Sequence, residues 1–346
     1  MFIRLVFAAL LTLCCLADVR AEPVPVTDPA IAEGVRLHDE GQFAEAVAQY
    51  QQALVNDPAS VLARYEMTLS YIAMKDYAAA LEVAREAVLV EHRLRPKLYM
   101  LIGTVQDETG DSAGAIATYK EAIALEPSYF LLYFNLGITY LRQEDHDQAS
   151  AQFQSALMLN PEHASSHFYL AYSHEQQTLR SWAILAYTRF LLLEQQTQRS
   201  EMAVAAIHEL FTAGYSKDDE SGDVKLTVDI GSAKAKSEQV AAMDLALLLS
   251  QAAAQSDEPA DHPPEIERLL TAILIMTELG EDEAQDFVQS YYVPYFVALQ
   301  QQSLLEAAGY MALQSTSEAA SNWVQENATQ VVAAKQLGEE FEWHEG

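Results

Sequence analysis

YFNLGITYLRQEDHDQASAQFQSALMLNP, residues 133–161, is the stretch whose reading decides the fold. Counted from residue 130, Gly137, Ala149, Phe153, Ala156 and Pro161 stand at positions 8, 20, 24, 27 and 32 of a 34-residue unit. GQFAEAVAQYQQALVNDP (41–58) repeats the spacing, with Ala46, Tyr50, Ala53 and Pro58 at positions 20, 24, 27 and 32 of a unit that begins at residue 27. The alanine returns as Ala46, Ala80, Ala115, Ala149 and Ala183, at intervals of 34, 35, 34 and 34. Position 8 holds Gly34, Thr68, Gly103, Gly137 and Ala171, and position 24 holds Tyr50, Ala84, Tyr119, Phe153 and Tyr187. A fixed period of this length marks stacked supersecondary units, each of which buries its apolar face only against its neighbours. Such stacks work by presenting a surface.

These residues resemble the tetratricopeptide repeat family, whose pattern is a small residue at 8, alanine at 20 and 27, an aromatic at 24 and proline at 32. The resemblance implies an all-α fold: a right-handed solenoid of helix-turn-helix repeats over 27–199, as 27–60, 61–94, 96–129, 130–163 and 164–197. Small residues at 8, 20 and 27 let the paired helices approach, and the aromatic fills the gap between pairs. Proline at 32 stops the second helix, because it lacks an N–H and its ring clashes with the preceding turn. Gly41 and Gly110 permit the tight turn within a repeat. Repeat two departs at Ala84 and His92; repeat five lacks the turn glycine and the proline and carries Phe190 at position 27. The large Phe190 marks the end of regular stacking. SEMAVAAIHELFTA (200–213), with Met202, Ala206, Leu210 and Phe211 at helical spacing, reads as a capping helix.

Residues 200–346 read as a smaller helical domain. Within the loop 214–236, Val224, Leu226, Val228 and Ile230 alternate with polar residues, as in a short strand with no evident partner. Such a segment is an ordered loop or an edge that pairs between copies. EQVAAMDLALLLSQAAAQ is an apolar helix, and the proline-broken linker 256–265 follows it. Further helices cover about 265–279, 282–301, 302–314 and 316–336. Tyr291, Tyr292, Tyr295 and Phe296 surround Pro294, which should kink or restart its helix. Aromatics at that spacing read as core, with an exposed docking patch as the alternative. The tail 287–314 is similar to that of some exported bacterial proteins with these repeats, which implies no function.

Residues 1–21 read as a secretory signal peptide: Arg4, then an apolar run from Leu5 to Leu16, then Val19-Arg20-Ala21 before the cut. The run is short for a membrane span, and an uncleaved anchor is the alternative. Cys14 and Cys15 both lie in it, so the exported chain, expected in the periplasm, would hold no disulfide. With 20 basic and 50 acidic residues, the formal charge of −30 disfavours nucleic acid and anionic membrane surfaces as partners. No stable membrane insertion is expected after cleavage. Arg85, His92, Arg93, Arg95 and Lys97 form one local basic run, read as cations near a helix C-terminus.

No catalytic constellation, phosphate loop or metal motif appears, so neither an enzyme nor a cofactor is expected. His163 and His167 lie one helical turn apart, but His174 falls about 16 Å along the axis, too far to complete a site. Asn327-Ala328-Thr329 fits a glycosylation acceptor that would matter only in a eukaryotic secretory route. The family lines its concave groove with positions 2, 5, 9 and 12 of each first helix. Those positions place Leu62, Tyr65, Leu69, Ile72, Met100, Thr104, Phe134, Ile138, Leu141, Phe168 and Tyr172 on the groove. Repeat three adds Lys97 and Asp107, and repeat four Leu131. The family's lysine–asparagine carboxylate clamp is absent from repeat one, which has Ile31 and Val35 there. So apolar a groove is filled either by a partner peptide or helix or by the chain's own C-terminal helices. The expected role is a protein-interaction scaffold of a bacterial envelope. An assembly factor for secreted or outer-membrane proteins and a self-associating structural protein are the alternatives.

Overall fold

The computed structural model describes residues 28–213, 215–217, 224–226, 238–253, 262–280 and 286–343. The leader read over 1–21 lies outside them, as does most of the loop 214–236 and of the linker 256–265. The described residues form seventeen helices and one small sheet. Packing divides the chain into two compact units, 1–144 and 145–346, and the division falls within the fourth repeat.

The first unit holds α1 (Pro29–Asp39), α2 (Phe43–Asn56), α3 (Val61–Ala73), α4 (Tyr77–Ala87), α5 (Arg95–Glu108), α6 (Ser112–Leu125) and α7 (Phe130–Arg142). Helices α1–α2, α3–α4 and α5–α6 pair as helical hairpins, and α1, α3, α5 and α7 also pack on one another in turn. Each hairpin turns through one left-handed residue: Gly41 at φ 78°, Lys75 at 61° and Gly110 at 86°. Glu144 and Thr178 hold the same repeat position at 58° and 59°. The turn survives without glycine, which explains how repeat five keeps its hairpin. A side chain there costs roughly 1–2 kcal/mol, and β-branched Thr178 is the least suited of the five. Thr178→Gly should therefore raise stability by about 0.5–1 kcal/mol in urea unfolding, net of glycine's greater unfolded-state entropy.

The small-and-aromatic pairing is visible in the packing. A Cβ on Gly34 would stand 2.4 Å from the Tyr50 ring, and one on Gly103 2.5 Å from the Tyr119 ring. The glycine exists because the tyrosine lies against it. Repeat two solves the same problem the other way, with Thr68 opposite Ala84, both buried. Its departure from the pattern is a transfer of volume across the helix pair.

The second unit opens with α8 (His146–Leu159), α9 (Ala164–Gln176), α10 (Arg180–Leu193) and α11 (Gln198–Thr212). Helix α11 packs on α10, with Ala203, Ile207, Leu210 and Phe211 buried; Met202 and Ala206 are not part of that buried face. Two short strands, β1 (Tyr215–Lys217) and β2 (Val224–Leu226), pair antiparallel with Tyr215 opposite Leu226. The segment read as a strand without a partner thus has one in its own chain. Then come α12 (Glu238–Ala253), α13 (Pro264–Gly280), α14 (Phe287–Gln301), α15 (Leu305–Leu313), α16 (Glu318–Glu326) and α17 (Ala328–Glu340). Helix α14 runs through Pro294 without restarting, and Pro294 lies on its exposed side, where water can satisfy the carbonyl left without a donor.

Helix α12 is tied to repeat five by a cap supplied from a distance. Asp76, Asp111 and Asp145 cap α4, α6 and α8 locally. Leu179, at the same place before α10, has no side-chain oxygen to offer. Asp244 of α12 supplies it, accepting from Ser181 N at 2.8 Å and Arg180 N at 3.3 Å. Burial pushes the Asp244 carboxyl above its ordinary range, against the opposing pull of those donors. Folding then favours the protonated form, so this group's contribution falls as pH rises through the raised pKa. Asp244→Ala should cost about 1–2 kcal/mol, the worth of an N-cap. Asp244→Asn keeps an acceptor oxygen, and should cost less and flatten the pH dependence of unfolding.

Candidate functional site

In the first unit the inner face is built by α3, α5 and α7. Leu62 and Ile72 are half-buried; Tyr65, Leu69, Met100, Thr104, Phe134, Ile138 and Leu141 are buried. Side-by-side packing of the first helices accounts for part of this, since α3, α5 and α7 contact one another in turn. Thr104 turns into its own repeat, its hydroxyl 3.1 Å from Tyr119 OH.

Polar bridges set the spacing of these helices. His38 Nδ1 lies 2.7 Å from Ser70 Oγ, joining position 12 of repeat one to position 10 of repeat two. Asp107 makes the same step from repeat three, accepting from Thr139 Oγ1 at 3.2 Å and from Arg142 Nη1 at 2.5 Å. Ser112 Oγ donates to its other oxygen at 2.7 Å. Asp107, read as a groove residue, is therefore a buried acid with its lone pairs engaged. Lys97 remains half-buried beside the apolar row, and Arg95 of the basic run pairs with Glu126 at 2.9 Å.

In the second unit Phe168 is sealed. Its ring meets Phe190 at 5.0 Å and Tyr187 at 5.8 Å, and the Arg199 guanidinium stands 5.8 Å from it. Phe190 thus forms a wall with Phe168 that receives α11. Tyr172 is half-buried, edge-on to His146. Of the two groove residues in this unit, only Tyr172 offers surface.

The aromatics around Pro294 are core. Tyr291, Tyr292, Tyr295 and Phe296 are buried, and two of their hydroxyls fasten α14 to the repeats. Tyr291 OH donates to Leu157 O at 3.3 Å, at the end of α8. His167 holds Tyr292 OH at 2.6 Å through Nδ1 and Pro161 O at 2.9 Å through Nε2. A carbonyl only accepts, so Nε2 carries the proton and Nδ1 accepts from the tyrosine. Burial, then the nearby Arg189 charge, hold His167 well below its ordinary pKa, which keeps the ring neutral. His163 bonds Ser166 Oγ, and His174 packs edge-on to Trp182. The three histidines are engaged in separate places. Within this unit, the chain's own C-terminal helix covers repeat five.

Among the described residues no group of three or more His, Cys, Asp or Glu is placed to hold a metal ion, and no helix is long and apolar enough to cross a membrane.

Family models for the tetratricopeptide repeat match residues 31–97 and 130–163, and a model for the TPR repeat matches 108–144. Tetratricopeptide repeat protein 6 of Homo sapiens is 31% identical over 127 residues, covering 34% of this chain and 22% of that protein. The chain thus spans about a fifth of that curated relative's length. Among solved structures, MamA from Desulfovibrio magneticus RS-1 is 19% identical over 50% of this chain and 99% of its own, with a TM-score of 0.41. TTC0263, a thermophilic TPR protein of Thermus thermophilus, is 19% identical over 52% and 97%, with a TM-score of 0.42. YrrB, described as a TPR protein with an unusual peptide-binding site, is 20% identical over 53% and 91%, with a TM-score of 0.40.

Proposed function

Because the chain is a tetratricopeptide-repeat protein, we propose that it is a non-enzymatic scaffold of a bacterial cell envelope, holding a partner peptide or helix against the inner face of its repeats. Repeats of this kind are interaction modules, with function in the surface they present. The observation that carries the reading is the row formed by Leu62 and Ile72, half-buried on a face whose neighbours Tyr65, Leu69 and Met100 are buried and whose spacing is fixed by the His38–Ser70 and Asp107–Thr139 bridges. A rigid apolar row with wet edges suits an apolar side chain of a partner, since little ordering entropy is lost on binding. The acidic balance, 50 acidic against 20 basic residues, favours a protein partner over a polyanion. The signal-like residues 1–21 support export, with the periplasm as the compartment.

Leu62→Glu combined with Ile72→Glu tests the surface. Both side chains are half-buried and Leu62 also packs on the repeat-one core, so the pair should cost stability, about 1–3 kcal/mol, without unfolding the chain, while abolishing co-purification of partners from the native envelope. An unchanged set of partners would remove this face from consideration. Mass spectrometry of the native protein tests export, which requires a chain beginning at Glu22, without Cys14 and Cys15.

A further inference from the structure

The last helix, α17, is held by a narrow seam. Its buried residues are Val331, Ala334 and Gly338, and Val332 beside them is 62% exposed. Beyond the helix the chain extends, and its rings do the anchoring. Trp343 lies tilted against Tyr291 at 4.6 Å and stacks on Tyr295 at 5.0 Å, and Phe341 meets Tyr295 edge-on at 5.4 Å. The seat beneath is preformed from other elements. Arg189 of α10, 2% exposed, pairs with Glu162 at 2.5 Å, and its guanidinium lies 4.8 Å from the Tyr295 ring and 4.9 Å from that of Trp343. A Cβ on Gly338 would come within 2.9 Å of Arg189 Nη1, so the strap crosses the arginine at its one residue without a side chain. The strap does not fill its seat: a cleft of about 190 Å³ remains, bounded by Arg189, Leu193, Tyr295, Met311, Lys335 and Gly338.

The connection to this strap is a single residue. Helix α16 ends at Glu326 and α17 begins at Ala328, with Asn327 at φ −111° and ψ 37° between them. The Asn327 backbone N–H still makes the helical bond to Trp323 O, and its side-chain Nδ2 donates to the same carbonyl at 2.9 Å; its ψ of 37° is what ends α16. Helix α16 stays anchored on the near side, where Trp323 stacks flat on Tyr310 at 4.4 Å. Rotating Asn327 alone into helical values joins α16 and α17 into one continuous helix and carries Phe341 and Trp343 away from their seat.

We propose that the segment 328–343 is an exchangeable strap, and that the occupant its seat takes in place of the chain's own strap is the same segment of a second copy, in a reciprocally swapped dimer. The exchanged contacts are identical in both states, so the equilibrium is set by the hinge and by concentration. A seat made of Arg189, Tyr291 and Tyr295 fits this segment because it already holds its Trp343 ring. The exchange does not rest on the scaffold reading of the inner face.

The test uses the full chain in light-scattering chromatography from low to high micromolar concentration. Asn327→Ala favours the continuous helix at both hinges and should tighten dimerisation about tenfold, given the helix preference of alanine over asparagine counted twice. Asn327→Gly should weaken it. The swap itself is read by placing p-benzoylphenylalanine at position 341, mixing chains of two isotopic labels, and mapping photocrosslinks. Crosslinks from 341 to α14 that join unlike labels in the dimer fraction are expected. A chain that stays monomeric with Asn327→Ala, or a dimer whose 341-to-α14 crosslinks join only like labels, would overturn the proposal.

Discussion

Phe134→Glu should abolish cooperative unfolding. Phe134, at position 5 of repeat four, is 1% exposed. The substitution deletes a buried aromatic, and it places a carboxylate where water does not reach. Each change alone belongs to the most damaging class, and together they should remove at least about 4–5 kcal/mol, a large part of a domain's stability. Circular dichroism should show a molten or unfolded chain at neutral pH, with partial recovery in acid as the carboxyl protonates. Leu125→Glu is the control, because Leu125 of α6 is exposed and should tolerate the change within about 0.5 kcal/mol. A Phe134→Glu chain that melts like the wild type would mean that this position faces an open groove.

Position 5 also shows where the sequence stops being legible. The 34-residue period carries the hairpins, because Gly34 against Tyr50 and Gly103 against Tyr119 are local steric solutions repeated at a fixed distance. The family pattern likewise puts Phe134 and Ile138 on the inner face, but the pattern describes one repeat. Burial depends on what neighbouring helices carry, and here successive first helices bring Tyr65, Met100 and Phe134 to equivalent positions. The cap on α10 is out of reach for a different reason. Leu179 reads as a missing cap, and the residue that supplies it, Asp244, sits 63 positions from the amide it serves, in a helix with no repeat register. The same holds for Tyr292 and His167, whose bond spans 125 residues. Spacing marks the aromatics as core, but their partners are fixed only by tertiary packing. The alternation at Val224 and Leu226 continues in the sequence through Val228 and Ile230 and so shows, whereas the equally short Tyr215–Lys217 belongs to no such run.

The exchange of volume between positions 8 and 24 gives the second large effect. Tyr119 fills the space over Gly103, and its hydroxyl meets Thr104 Oγ1 at 3.1 Å. Tyr119→Ala should leave a cavity and cost about 3–5 kcal/mol, as for other large buried rings. Gly103→Thr alone drives a side chain into the ring and should cost about 1–3 kcal/mol or more, because the ring is buried and has nowhere to move. Combined, the two changes rebuild the pairing that repeat two already uses, Thr68 over Ala84. The threonine then occupies part of the cavity instead of colliding, so the double variant should be more stable than the sum of the single costs implies. A favourable coupling of about 1–3 kcal/mol in a urea double-mutant cycle is expected, the range for residues in direct contact. Strict additivity would show that the glycine answers to backbone geometry and not to the tyrosine. The helical φ of Gly103 argues against that, since among the described glycines it is Gly41 and Gly110 that take the left-handed conformation.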